Sequence, residues 1–351
     1  MRCRRSAVGT AKIWCEPVVS PVQLPTAEQV QSLLCKQYHE CSDLRGLRML
    51  SRGRNAIFEM HVGAESYVVK SGRKGDALAR LTRHAALAHG LTALGAAAEQ
   101  LVHTSAGELV GRGDDGLVVA VFRKIRGVAC DFTSAGYGRL GLALALWHRA
   151  AARAKVDANV LSSLSPAEIL ALAEKVLLHT SPPGLPGCPA FAMSSPGEQR
   201  LTSCVRFLRG RLPREEEHED WVGHGDPHPL NLLRAVCADG RQQSTLIDLE
   251  DAYRGSRLHD LGTIVWSTLR CEPTRPLWMA ALEAYDRELG LANEELDQVG
   301  YFVALRHLWW LALHARHWGQ YAMHYREPRF VDVGVELLEV ICQDACGANL
   351  T

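Results

Sequence analysis

Asp226, Asn231 and Asp248 are the residues of this chain whose types and spacing point most directly to chemistry. They stand in two stretches, Trp221-Val222-Gly223-His224-Gly225-Asp226-Pro227-His228-Pro229-Leu230-Asn231-Leu232-Leu233 and Thr245-Leu246-Ile247-Asp248-Leu249-Glu250-Asp251. Short apolar runs on either side of the Asp239-Gly240 turn predict a hairpin that carries the three side chains together. An Asp, an Asn five residues later and a second Asp at the end of the next strand make a divalent-cation site with a base beside it. Oxygen donors of this kind suit Mg²⁺, which completes its octahedron with water and substrate phosphates. Phosphoryl transfer needs that combination: one carboxylate to receive a hydroxyl proton, and hard oxygens to hold metal on the phosphates.

The elements around these residues divide the chain. Residues 26–41 read as an opening helix with Thr26 as N-cap. Strands are predicted over 48–50, 56–62 and 66–70, with Ser51-Arg52-Gly53-Arg54-Asn55 as one of the turns. An Ala/Leu-rich helix spans 76–94, and two more strands end at Phe122. Beyond a linker near 122–128 the pattern is helical. Residues 138–154 carry an apolar stripe at 140, 144, 147 and 151, and amphipathic helices cover 276–291, 294–318 and 331–342. The expected class is α+β: a lead-in over 1–25, partly disordered, a small antiparallel-sheet lobe over 26–125, and a larger, mainly helical lobe over 126–351.

The Asp226–Asn231 spacing matches the protein-kinase catalytic loop. His-Gly-Asp-x-His-x-x-Asn followed by Ile-Asp-x-Glu-Asp resembles the aminoglycoside phosphotransferase and choline kinase group, over roughly residues 47–330. Arg306-His307-Leu308-Trp309-Trp310-Leu311-Ala312 falls where the bacterial stress response kinase branch has an aromatic helix. The resemblance implies a bilobal protein-kinase-like fold and an ATP- and Mg²⁺-dependent transfer to an alcohol. It implies Asp226 as the catalytic aspartate, Asn231 and Asp248 as metal ligands, and Asp260 as a buttress of the catalytic loop. His224 and His228 would orient that loop, and Glu250 would support it. Lys70, closing a Tyr-Val-Val-Lys strand, takes the place of the lysine that clamps nucleotide phosphates. Ser51, Gly53 and Asn55 fall where the phosphate-covering loop lies, and the adenine is expected against Val121, Phe122, Arg123 and Lys124.

One departure stands out. The group places on the helix after the lysine a glutamate that pairs with it, but the 76–94 helix has none, and Arg83 and His84 occupy that region. Asp76 or Glu99 could substitute, Lys70 could be held by another group, or the geometry could form only with ligand.

The acceptor is expected to be a small hydroxylated molecule. His307, Trp310 and His314, at helical spacing, are candidates for its pocket. Alternatives are a serine/threonine protein kinase of the stress response type and a nucleotide-binding pseudokinase with a scaffolding role.

Other signals exclude competing classes. Gly111-Arg112-Gly113-Asp114-Asp115-Gly116 spells G-x-G-x-x-G but runs into a strand rather than opening a helix, and a Walker A loop is absent. No apolar run approaches the ~20 residues that cross a bilayer. Eleven scattered cysteines without a C-x-x-C pair suggest reduced thiols and a cytoplasmic protein. The 39 basic and 39 acidic residues balance, which argues against a nucleic-acid surface. That zero is a sum: residues 1–125 hold 17 Lys+Arg and 11 Asp+Glu, 126–259 hold 15 of each, and 260–351 hold 7 and 13. A positive first lobe suits a polyphosphate, and an acidic tail favours an amine-bearing acceptor.

Overall fold

The computed structural model describes residues 24–347 apart from 42–43, 45, 74–76, 155, 179–192, 213–220, 237–239, 270–275 and 317–328. Residues 1–23 of the lead-in, Asp76, the Ser181–Gly187 loop, the Glu215–Asp220 acidic run and the Asp239 turn residue fall outside that set.

Helix α1 (Ala27–Gln37) starts at a capping box in which Thr26 and Gln29 bond each other's backbone N–H, and its Val30, Leu33 and Leu34 are buried. It is shorter than expected, giving way to a 3-10 turn at His39–Cys41. Strands β1 (Leu47–Arg52), β2 (Ala56–Val62), β3 (Glu65–Arg73), β4 (Leu101–Val102), β5 (Gly111–Arg112) and β6 (Leu117–Arg123) form one sheet in the order β1-β2-β3-β6-β4, with β5 also on β6. All its pairings are antiparallel. Side chains alternate across the sheet. Val69, Val119 and Val121 pack on the α1 side, while Ala120 and Phe122 face helix α2 (Ala77–Ala93). Lys70, between Ile57 and Ala120 in register, is thereby sent to the α2 side.

After β6 the chain adds the short strand β7 (Gly127–Ala129), which pairs with the hairpin of β10 (Leu232–Val236) and β11 (Gln242–Leu246). A third small sheet joins β8 (Ser162–Ser163), β12 (Tyr253–Gly255) and β9 (Trp221–Gly223). The rest of this part is helical: α3 (Ser134–Ala151), α4 (Pro166–Ala173), α5 (Ser195–Arg209), α6 (Leu258–Leu269), α7 (Pro276–Leu289), α8 (Asn293–Arg316) and a closing helix, Phe330–Gly347. Helix α3 begins before the expected Gly138 because Thr133 caps it by accepting the Gly136 N–H. Its stripe of Leu140, Leu144, Trp147 and Ala151 is buried, each large apolar side chain contributing about 1.5–3 kcal/mol. A Cβ at Gly141 would lie 1.9 Å from the Ala281 carbonyl oxygen, so only glycine lets α3 and α7 approach this closely.

One continuous core runs from Leu81 and Leu91 of α2 through α3, α6 and α8 to the closing helix. A second, between α1 and the sheet, belongs to the N-terminal part alone. The architecture is the bilobal α+β one expected, sheet-rich first and helical after. No helix of the described residues is long and apolar enough to cross a membrane.

Candidate active site

The loop after β9 turns sharply at Gly225, whose φ of +88° belongs to glycine, and a Cβ there would meet the Asp251 carbonyl oxygen at 2.1 Å. Asp260, at the start of α6, fastens this turn by accepting the N–H groups of His224 (2.6 Å) and Gly225 (2.8 Å). It also takes a hydrogen bond from His148 Nε2 at 2.9 Å, while His148 Nδ1 meets the Tyr285 hydroxyl. Burial works to raise the Asp260 pKa, but His148 and His224 outweigh it and hold the carboxyl below its ordinary value. The buried His224 joins two loop segments of the site: Nε2 meets the Ile247 carbonyl at 3.1 Å and Nδ1 accepts the Asp226 N–H at 3.3 Å. Asn231 closes the loop by donating its amide to the Asp226 carbonyl at 3.0 Å, and its own carbonyl accepts the Ile247 N–H.

Asp226 itself is gripped by Arg306 from α8. The guanidinium donates to Asp226 Oδ1 at 2.7 Å and to the Gly225 carbonyl at 2.8 Å. Arg306 is buried, its guanidinium centred 4.6 Å from the Trp309 ring and 5.2 Å from that of Trp266. On the other side His228 Nε2 lies 3.5 Å from Asp226 Oδ2. The crowded surroundings alone would raise the Asp226 pKa, yet His228 and Arg306 hold it well below the usual carboxylate range.

Asp248 has φ +69° and ψ +61°, the one left-handed non-glycine conformation among the described residues. Such a backbone costs about 1–3 kcal/mol and persists only where its neighbours impose it. Here the Asp248 N–H donates to Glu99 Oε2 at 3.1 Å and Asp248 Oδ1 accepts from Lys70 Nζ at 2.6 Å. Lys70 also reaches Glu250 Oε1 at 3.2 Å and lies 3.4 Å from His84 Nδ1. His84, Asp248 and Glu250, close enough together to crowd a cation, thus enclose the lysine ammonium. Burial pulls the Lys70 pKa down, but Asp248, Glu250 and Glu99 outweigh it and push it far above the ordinary lysine value. Asp248 is lowered correspondingly, with Lys70 overcoming the desolvation that would raise it.

Arginines and an amide then tie the N-terminal sheet and α2 to the Asp248–Asp251 turn. Asn55 donates to Glu250 Oε2 at 2.5 Å and accepts from Arg80 at 3.1 Å, and Arg80 lies 3.5 Å from Glu250. Arg83 donates to the Glu250 carbonyl at 2.7 Å, and Arg54 makes a two-pronged pair with Asp251.

A family model of the phosphotransferase enzyme family (APH) matches residues 50–298, more than half of the chain, with the whole of this site inside it except Arg306. The chain belongs to that family. A protein of Deinococcus radiodurans is 29% identical to this phosphotransferase over 119 residues, which is 33% of this chain and spans only 34% of the relative. A microcompartment-associated aminopropanol kinase superposes with a TM-score of 0.70 at 19% identity, covering 92% of this chain and 99% of its own. The amicoumacin kinase hAmiN, in complex with AMP-PNP, Ca²⁺ and Ami, gives 0.66 at 15% identity, covering 89% and 93%. At these identities the structural likenesses show the fold.

Within this phosphotransferase the structure brings Asp226, Asn231, Asp248, Lys70, His224, His228, Glu250 and Asp260 into one cluster. Three groups of sequence-derived residues are placed differently from expectation. The Asn55 side chain is spent on Glu250 and Arg80, the Gly53 N–H already donates to the Asn55 carbonyl, and Ser51 lies in β1, paired with Ile57 of β2. Val121 and Phe122 are fully buried in a strand paired on both edges, and the N–H groups of Arg123 and Lys124 donate to the Gln100 and Ser66 carbonyls. The next N–H groups, those of Ile125 and Arg126, carry no such bond among the described residues. His307 is a core residue: Nδ1 accepts from Trp266 at 3.0 Å and Nε2 meets the Gly334 carbonyl at 2.8 Å. His307 stacks on Trp310 at 5.9 Å, Trp310 and His314 lie tilted against each other at 4.4 Å and both tilt against Phe330 of the closing helix, and His314 is bonded to the Trp310 carbonyl, so much of each ring is used in packing.

Arg306, Arg80 and Arg54 were not singled out from the sequence. The available signal was a charge at an apolar position of a helical stripe: Arg306 lies among Phe302, Val303, Leu305 and Trp309.

Proposed function

We propose that this phosphotransferase moves the γ-phosphate of ATP, with Mg²⁺, to a hydroxyl of a small molecule. The observation that carries the reading is the pairing of a clamped aspartate, Asp226, with a nucleotide lysine that meets the metal aspartate, Asp248, at 2.6 Å. In this reading residues 26–125 hold the nucleotide and 126–351 carry the catalytic loop and the acceptor.

The donor set fits a hard divalent cation. Asn231 spends its amide N–H on the Asp226 carbonyl, which leaves the amide oxygen without a partner among the described residues. Asp248 is 40% exposed at its side chain and keeps its second oxygen outside the Lys70 contact. Asn231 and Asp248 would hold Mg²⁺, which when bound neutralises phosphate charge and aligns the leaving group. Lys70 then acts as a point charge on the phosphates, and the purine edge finds the peptide groups that follow Lys124.

Asp226 is an anion with lowered proton affinity, so it is a weak base toward a resting alcohol. Its work is to orient the acceptor hydroxyl and to take the proton late, once attack on phosphorus has made that hydroxyl acidic. Arg306 fixes the direction from which it does so. The six-charge acidic excess of residues 260–351 and the kinship in fold with an aminopropanol kinase favour an acceptor that carries an amine.

A screen with γ-labelled ATP against hydroxylated amines, aminoglycosides and generic protein substrates tests the proposal. Label should pass to a small hydroxylated amine and should vanish in Asp226→Ala and Asp248→Ala proteins that keep their circular dichroism. Full transfer by either variant refutes the assignment.

A further inference from the structure

We infer that His84 and Glu99 act as a two-residue replacement for the helix glutamate, positioning Lys70 while fixing the backbone of Asp248. The inference rests on the phosphotransferase reading of Lys70 given above.

His84 lies on α2, on the side that faces β3, and is fully buried. Its imidazole has no negative charge to offer Lys70, but it bridges to one: Nε2 is 2.6 Å from Glu99 Oε2 and Nδ1 is 3.4 Å from Lys70 Nζ. A lysine ammonium has three donors and no acceptor, so Nδ1 must present its lone pair to it. The ring proton therefore sits on Nε2, where Glu99 accepts it. The chemistry of both ends selects this one tautomer.

Two further contacts make the arrangement rigid. The Phe122 ring stacks on His84 with centroids 4.4 Å apart, which fixes the imidazole plane and keeps water from its face. The Glu99 oxygen that serves His84 also accepts the Asp248 N–H at 3.1 Å. A single carboxylate, from the segment just before β4, thus anchors both the lysine and the left-handed aspartate.

The arrangement bears on the nucleotide-bound state. In the present geometry Lys70 leans on Asp248, but phosphates and metal would draw these two groups into new contacts. The His84–Glu99 pair holds Lys70 independently of the Asp248 carboxylate and need not be released. Lys70 would keep its place while Asp248 changes partner.

The test combines kinetics with a measurement that needs no activity. Outer partners of this kind typically carry about 10- to 100-fold in activity or affinity. His84→Ala and Glu99→Ala should lose kcat/KM for ATP on that scale, chiefly through the nucleotide KM, with the acceptor KM unchanged. The double variant His84→Glu/Glu99→Gln, which puts a carboxylate directly on the helix, should recover most of the loss. His84→Ala with nucleotide KM and turnover equal to the parent would overturn the inference and leave the phosphotransferase reading standing. In the unliganded protein at neutral pH, ¹⁵N shifts of His84 should report protonation at Nε2, lost or redistributed in Glu99→Ala. Protonation at Nδ1 in the parent, or no response to Glu99→Ala, would overturn it even if the parent neither binds nor turns over ATP. That last result would sink the phosphotransferase reading separately.

Discussion

Asp226 and Asp248 are both aspartates of one hairpin, yet they are held in opposite ways. Every group that fixes Asp226 comes from the helical lobe: Arg306, His228, His224 and, through the loop backbone, Asp260. Asp248 takes its contacts from the N-terminal lobe, with Lys70 on its carboxylate and Glu99 on its N–H. The surroundings of Asp226 are therefore complete within one lobe. Those of Asp248 exist only when the two lobes meet, and its left-handed backbone is maintained by that meeting.

The comparison can be broken at several points. Asp226→Asn strikes the intralobe side hardest and should lower kcat by about 100- to 10,000-fold with nucleotide affinity retained. Calorimetric titration with ADP and Mg²⁺ would reveal any unwanted coupling. His259 tests the acid sensitivity of the helical-lobe anchor. It is buried without a hydrogen-bond partner among the described residues, and burial and the nearby Arg306 lower its pKa to about 3. Above about pH 6.5 it is neutral in both folded and unfolded chains; below that only the unfolded chain takes the proton, so stability falls. By pH 4 a His259→Phe variant should gain about 3 kcal/mol over the parent relative to their difference at pH 7, read by urea unfolding. A constant difference across that range would count against it. Lys70 has the opposite sign: its raised pKa keeps the pairing intact at neutral pH and forfeits it only as alkali reaches the folded value.

Smaller effects separate the two sides kinetically. Arg306→Met should reduce kcat up to about 100-fold, because a misdirected carboxylate loses alignment, while leaving the nucleotide KM alone. Such a split is the mirror of the one expected at His84, and a raised nucleotide KM in Arg306→Met would dissolve the distinction. Least of all, Arg54→Met removes a partly exposed pair between the lobes and should cost below about 1 kcal/mol in thermal unfolding.

The helical-lobe side was the more legible in the sequence. Asp226, Asn231 and Asp248 follow one another at short separations along a single hairpin, so order and spacing are enough to group them. Lys70 was legible too, because the period of two in β3 decides its face. The partner of Lys70 was legible only in part: Glu99 stood among the possible substitutes, but that it acts by way of a histidine on another element was not readable from the chain order. Arg306 escaped for a similar reason. It is 80 residues from Asp226 in the chain, and only the packing of α8 against the loop joins them. The covering turn misled because Asn55, a good turn residue by type, is used as a bridge between lobes.

The guanidinium of Arg306 between two indoles has an optical consequence. Trp266 and Trp309 are two of the eight tryptophans of the chain, and each has a fixed cation near its ring. Indole emission responds to a charge at that distance, and this charge is tied directly to Asp226. The molecule thus carries an unlabelled fluorophore pair beside the aspartate proposed to meet the acceptor. Binding of an acceptor that pulls on Asp226 should register as a change in tryptophan emission before any phosphate has moved.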